Sequence, residues 1–112
     1  METFKIYCGG EFTEGKEKLT VTDKFSGEAY ATTWLADAGL LDKAITLAQA
    51  ARVDMQEMSS GDRSLVLRFI SEEIIRSKTK LSEILCIESG KPMIYAAGEI
   101  DRAAQTFLIA SE

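Results

Sequence analysis

The stretch Ser89-Gly90-Lys91-Pro92 sets a Gly-Lys pair between two segments of helical apolar spacing, and such a pair can belong to a phosphate-binding loop. A phosphate loop needs GxxxxGK followed by Ser or Thr, after a strand and at the opening of a helix. Here a proline follows the lysine and a helical pattern precedes the glycine, so the context is wrong. Gly90 suits the left-handed position that ends a helix, and Pro92 suits the first turn of the next. Lys91 between them reads as a solvated turn residue. Two cysteines, Cys8 and Cys86, lie far apart without CxxC spacing, and there is no histidine. This excludes Cys/His zinc sites and a Cys–His nucleophile. Cys86, among Leu81, Ile84, Leu85 and Ile87, reads as a small buried hydrophobe. Paired carboxylates are the remaining source of acid–base chemistry. Glu72 with Glu73, and Glu99 with Asp101, splay around a helix, which predicts solvated faces. Glu99 and Arg102 at i,i+3 predict a surface pair.

The elements that carry these residues follow from periodicity. Residues 4–12 form an apolar-rich run broken by Gly9-Gly10, which predicts a hairpin corner. Leu19, Val21 and, less cleanly, Asp23 alternate with polar neighbours. Ser26-Gly27-Glu28 reads as a turn, and Tyr30, Thr32 and Trp34 then share one strand face. From Leu40 the period becomes helical, with Leu41, Ala44, Ile45, Ala48 and Ala51 in one stripe. Residues 58–63 break that helix and offer Ser59 or Ser60 as the next cap. A second helix, 61–77, repeats Val66, Ile70 and Ile74 with Leu67 and Ile75 beside them. A third, 79–89, carries Leu81, Ile84, Leu85 and Glu88. A fourth starts at Pro92 and is still in full swing at Phe107, Leu108 and Ile109, with no stop signal before the last residue. The chain therefore reads as cut from something longer.

Of 112 residues, 46% are hydrophobic and 28% charged, as in an ordinary soluble globular protein. Eighteen acidic and thirteen basic residues give a net charge of -5, and the lysines and arginines are scattered. The electrostatic footprint of a nucleic-acid binder is missing. No signal-peptide core and no membrane-length apolar run is present. A soluble, cytoplasmic protein is the expectation.

Residues 84–112, "ILCIESGKPMIYAAGEIDRAAQTFLIASE", resemble the N-terminal region of the NAD(P)-dependent aldehyde dehydrogenase superfamily. That region has an acidic residue, a small residue and Gly-Lys-Pro, followed by a helix beginning Glu-apolar-x-Arg-Ala. Here these are Glu88, Ser89, Gly90, Lys91, Pro92, Glu99, Ile100, Arg102 and Ala103. "YCGGEF" is similar to the family's opening Gly-Glu-aromatic hairpin, and Ser26-Gly27-Glu28 to its Thr-Gly-Glu turn. Asp42 to Ala51 resembles its Ala-rich first helix, and Ser59 with Arg63 the start of its second. Two positions depart from the pattern: Asp23-Lys24 stands for Asn-Pro, and Met55 for Trp. Met55, with "ILCIESGKP" and "RAAQTF", leans towards the branch resembling lactaldehyde and non-phosphorylating glyceraldehyde-3-phosphate dehydrogenases.

The resemblance implies an α/β fold with a Rossmann-like cofactor domain. Residues 1–112 would be the N-terminal part of that domain: a β-hairpin and strand followed by about four α-helices, with the catalytic and oligomerisation parts absent. It implies oxidation of an aldehyde to a carboxylic acid with NAD or NADP, neither of which this fragment would bind alone. The family's nucleophilic Cys, its Glu and its oxyanion Asn lie downstream of the matched region. No catalytic or cofactor-binding residue is assigned here, and no activity is expected from these residues by themselves. The implied partners are the remainder of the same polypeptide and further copies in a homo-oligomer, with no nucleic acid and no membrane. Apolar faces such as Val66/Ile70/Ile74 and Phe107/Leu108 would complete a core whose other half is missing, so the isolated chain should expose apolar surface. Some members hold Na⁺ or K⁺ with an acidic side chain two residues before the Gly of Gly-Lys-Pro and carbonyls of the strand before the Thr-Gly-Glu turn. By position these are Glu88, and Val21 and Thr22. The alternative from the residues alone is a small acidic helical protein-interaction module.

Overall fold

A computed structural model describes all 112 residues, which divide into two units, Met1–Glu57 and Met58–Glu112. In the first unit the strands are β1 (Glu2–Thr3), β2 (Ile6–Cys8), β3 (Glu11–Thr13), β4 (Glu17–Thr22) and β5 (Ala29–Leu35). The helices α1 (Ala38–Ala50) and α2 (Arg52–Glu57) follow. Gly9 and Gly10 take φ of 62° and 88° and turn β2 back on β3, with Ile6 opposite Thr13 and Cys8 opposite Glu11. Positive φ at two successive residues is what this corner requires, and glycine adopts it without a Cβ penalty.

The larger sheet has the order β1-β5-β4. β4 and β5 are antiparallel and joined by a tight turn. Its start is fixed by Asp23, whose Oδ1 accepts from the Phe25 and Ser26 amides at 2.7 and 3.3 Å. The register slips by one residue beside Val21 and Thr22, leaving Tyr30 as the extra residue on β5. β1 pairs parallel with β5, Glu2 against Ala31, an association that strand patterning did not foretell. Two residues are too few for a period to show.

Asp37 starts α1: its Oδ1 accepts from the Leu40 amide at 2.8 Å, and its Oδ2 pairs with Lys16 Nζ at 2.8 Å. The hydrogen bond from Lys16, then that from Leu40, holds the Asp37 carboxyl below the usual carboxylate range. A lowered folded-state pKa contributes stability above the unfolded value of ~3.9 that is lost as pH falls through the folded one. Acid titration followed at the Leu40 amide should therefore show α1 starting to fray only below that ordinary value. Asp37→Asn, which can still cap, should abolish this acid step. An acid step unchanged in Asp37→Asn would assign it to another group.

α1 ends one residue before the expected stripe does. Ala51, at φ -74° and ψ -6°, shares its N–H between the Leu47 and Gln49 carbonyls, and α2 then resumes. Five helices are present where about four were expected, the extra one arising from this break. The break falls at an alanine, without the Gly or Pro that would mark it.

The second unit is helical: α3 (Ser60–Arg76), α4 (Lys78–Ser89) and α5 (Met93–Ser111). Ser59, not Ser60, caps α3, accepting from the Asp62 amide at 3.0 Å. Small residues let α3 and α5 approach closely. Ser71, Ala96, Ala104 and Ser111 are all buried, and Ser71 Oγ donates to the Ala104 carbonyl at 2.8 Å. The bulkier stripes are only partly covered. Ile70, Ile74, Phe107 and Leu108 are half-buried and Val66 is exposed, as are Leu65, Phe69 and Ile94. No large side chain is fully buried, so apolar surface is exposed as expected. No helix is long and apolar enough to cross a membrane.

Candidate functional site

The α4–α5 corner is built as its residue types require. Gly90 ends α4 in the left-handed region, φ 72° and ψ 12°, with its N–H on the Cys86 carbonyl at 2.8 Å. Pro92, at φ -56° and ψ 143°, precedes the first residue of α5. Lys91, expected to be solvated, is not. Its ammonium donates to the Glu99 carboxylate, and the two side chains are only 32% and 37% exposed. That hydrogen bond is the main cause holding the Glu99 carboxyl below its usual range, ahead of the Lys91 and Arg102 charges and against partial burial. The anticipated Glu99–Arg102 pair is thus secondary. Helical spacing rules could not reveal a partner reached across a non-helical corner.

Two of the other acids are also paired. Asp101 pairs with Lys78 at 2.7 Å, and Glu73 with Arg76. Glu72 stays at the rim of a shallow hollow of about 440 Å³ with Arg68, Ile75 and Leu108. A second hollow of about 550 Å³ on α5 is lined by Glu99, Arg102, Gln105, Thr106 and Ile109. None of these carboxylates faces another in an acid–base pair. Cys8 is buried. Cys86 is only half-buried, with its Sγ 3.9 Å from Met93 Sδ, so the expectation of full burial fails there.

The three residues assigned to an alkali cation fall in different units. Val21 and Thr22 end β4 in the first, half-buried, at the register slip. Glu88 is exposed in the last turn of α4 in the second, and takes part in none of the five ion pairs. No group of three or more His, Cys, Asp or Glu side chains is placed to hold a metal ion. The donor chemistry does suit Na⁺ or K⁺: a carboxylate and main-chain carbonyls are hard oxygen ligands. An uncompensated carboxylate beside the carbonyl end of a helix is also electrostatically better with a cation present.

Comparison with known proteins gives one consistent result. The sequence profile described as the aldehyde dehydrogenase family matches residues 12–112. A 3-sulfolactaldehyde dehydrogenase of Priestia aryabhattai is 28% identical over 112 residues, covering 100% of this chain and 23% of that protein. Among solved structures, aldehyde dehydrogenase 21 from Physcomitrella patens, in complex with the reaction product succinate, superposes with a TM-score of 0.93 at 30% identity. It covers 98% of this chain and 23% of its own. An NADP-dependent glyceraldehyde-3-phosphate dehydrogenase from Bacillus halodurans, complexed with NADP, gives a TM-score of 0.92 over 97% of this chain and 23% of its own. At 22% identity it shows the shared fold. The chain spans less than a quarter of the length of these relatives.

Proposed function

Because the chain belongs to the aldehyde dehydrogenase family, we propose that it forms the N-terminal part of the cofactor-binding domain of an oxidoreductase that converts an aldehyde to a carboxylic acid. The observation that carries this reading is the family match over residues 12–112, joined to a fold shared across 98% of the chain. The cofactor is NAD or NADP, which accepts the hydride when bound; an NADP complex is known for one homologous structure. This chain's own part is structural. Its sheet and helices carry no nucleophile assigned to the reaction and no glycine-rich dinucleotide turn. The remainder of the polypeptide supplies those parts, and a cytoplasmic homo-oligomer goes with this reading. An acidic helical interaction module is not favoured: it accounts for neither the five strands nor the family match.

The test is NAD(P)H formation from a panel of aldehydes. The complete subunit carrying these residues should turn over, whereas residues 1–112 alone should not. Robust turnover by residues 1–112 would overturn the assignment of a purely structural role. A complete subunit inactive on every aldehyde with both cofactors would overturn the activity.

Within that subunit, Glu88 is proposed to ligate a monovalent cation, with main-chain oxygens of Val21 and Thr22 as further ligands. Its charge and its place at a helix C-terminus support this. Glu88→Gln should reduce any gain in melting temperature given by K⁺ or Na⁺ at constant ionic strength. A melting temperature indifferent to both ions would remove the site.

A further inference from the structure

We propose that Lys91 and Glu99 form a latch that holds the α4–α5 corner closed and sets the direction in which α5 leaves it. The backbone of the corner is thinly tied. The Gly90 N–H goes to the Cys86 carbonyl, within the last turn of α4. The Lys91 N–H is taken by Ser89 Oγ at 3.2 Å. Pro92 has neither an N–H nor a capping side chain, and α5 begins without a side-chain cap. The Pro92 carbonyl accepts from the Tyr95 and Ala96 amides, both at 3.0 Å, within the first turn of α5. Each set of backbone bonds therefore belongs to one helix, and none joins the end of α4 to the body of α5.

The Lys91 side chain makes that connection. It runs from the turn to Glu99 in the second turn of α5, and both groups are about two-thirds covered, which limits screening by water and salt. The lowered Glu99 carboxyl is consistent with a persistent partner. At the other end of α4, its first residue Lys78 pairs with Asp101 of α5 at 2.7 Å. Two ion pairs thus tie both ends of α4 to one stretch of α5, and they occupy Glu99 and Asp101 with lysines. The lysine of Gly-Lys-Pro is explained without a phosphate: at this corner its ammonium has a protein carboxylate for its anion.

Amide hydrogen exchange on the 112-residue chain tests the latch. Lys91→Met, which keeps the aliphatic stem, and Glu99→Gln should each speed exchange at the Gly90, Lys91, Tyr95 and Ala96 amides by about two- to fivefold, the range open to a partly exposed pair. The double variant should be no faster than either single one. The charge exchange Lys91→Glu with Glu99→Lys should recover part of the protection. Lys78→Met should leave these four amides unchanged. The near-isosteric Glu99→Gln carries the test if Lys91→Met does not fold. The proposal is overturned if these amides exchange at the wild-type rate in Glu99→Gln. It is equally overturned if the acceleration extends across α3, because that would mark a general loss of stability.

Discussion

Gly15→Ala is expected to destabilise the first unit by about 1–3 kcal/mol, the usual range for overpacking. A Cβ at Gly15 would lie 2.3 Å from the Leu35 carbonyl oxygen and 3.3 Å from Trp34 Cβ. The first of these is a backbone atom at the end of β5, which cannot swing aside as a side-chain tip could. Relief requires the start of β4 or the end of β5 to move, where Glu17 pairs with Leu35. Denaturant unfolding followed by Trp34 fluorescence measures the loss, and a midpoint shift equivalent to less than about 0.5 kcal/mol, the ordinary surface range, would refute it. Gly9 makes a useful contrast. A Cβ there meets Leu47 Cδ1 at 2.3 Å, the movable end of a side chain, so its penalty comes more from φ +62° than from the collision.

The second large effect is expected at Ala96, whose relative exposure is 0%. Ala96→Leu adds three carbons where no space is open and should destabilise the protein by about 1–3 kcal/mol. Ala110→Leu, at an exposed position of the same helix, should change stability by less than about 0.5 kcal/mol. Both are read as shifts in the midpoint of urea unfolding by circular dichroism. Equal shifts for the two variants would mean that the α5 environment is not as differentiated as its burial pattern states.

Where a residue type leaves few conformational choices, local structure was legible. Gly90 ends α4, Ser59 caps α3, and Gly9-Gly10 turns β2 into β3, each for a reason intrinsic to a few neighbours. Helical stripes located α3 to α5 within a residue or two of their observed limits. They were less informative about the core. Val66, chosen for its period, is 49% exposed, whereas Ser71, Ser82 and Ala96 are buried. Close helix packing rewards small residues, which hydrophobic periodicity does not weight. Features resting on partners outside one element's own period were not legible: β1 against β5, and Lys91 against Glu99 across the corner. The break between α1 and α2 was missed for a different reason, since Ala51 is a good helix former in any context. The candidate site was read less fully than the fold, because Val21, Thr22 and Glu88 were placed by resemblance rather than by their own chemistry.

The parallel pairing of β1 with β5 bears on the order in which the chain can fold. β2 and β3 are neighbours in sequence and can zip as soon as both exist, and β4 with β5 needs only the short turn at Asp23. β1 has no such local partner. The Phe4 amide finds its acceptor in the Thr32 carbonyl at 2.8 Å, so residues 2–4 must wait, unpaired, until a strand about thirty residues later has formed and offered its free side. During synthesis, residues made early are thus settled late. Until then the outer edge of β5 is an open template, and the two-residue strand that later covers Ala31 and Thr32 shortens the stretch of that edge on which a neighbouring nascent chain could pair.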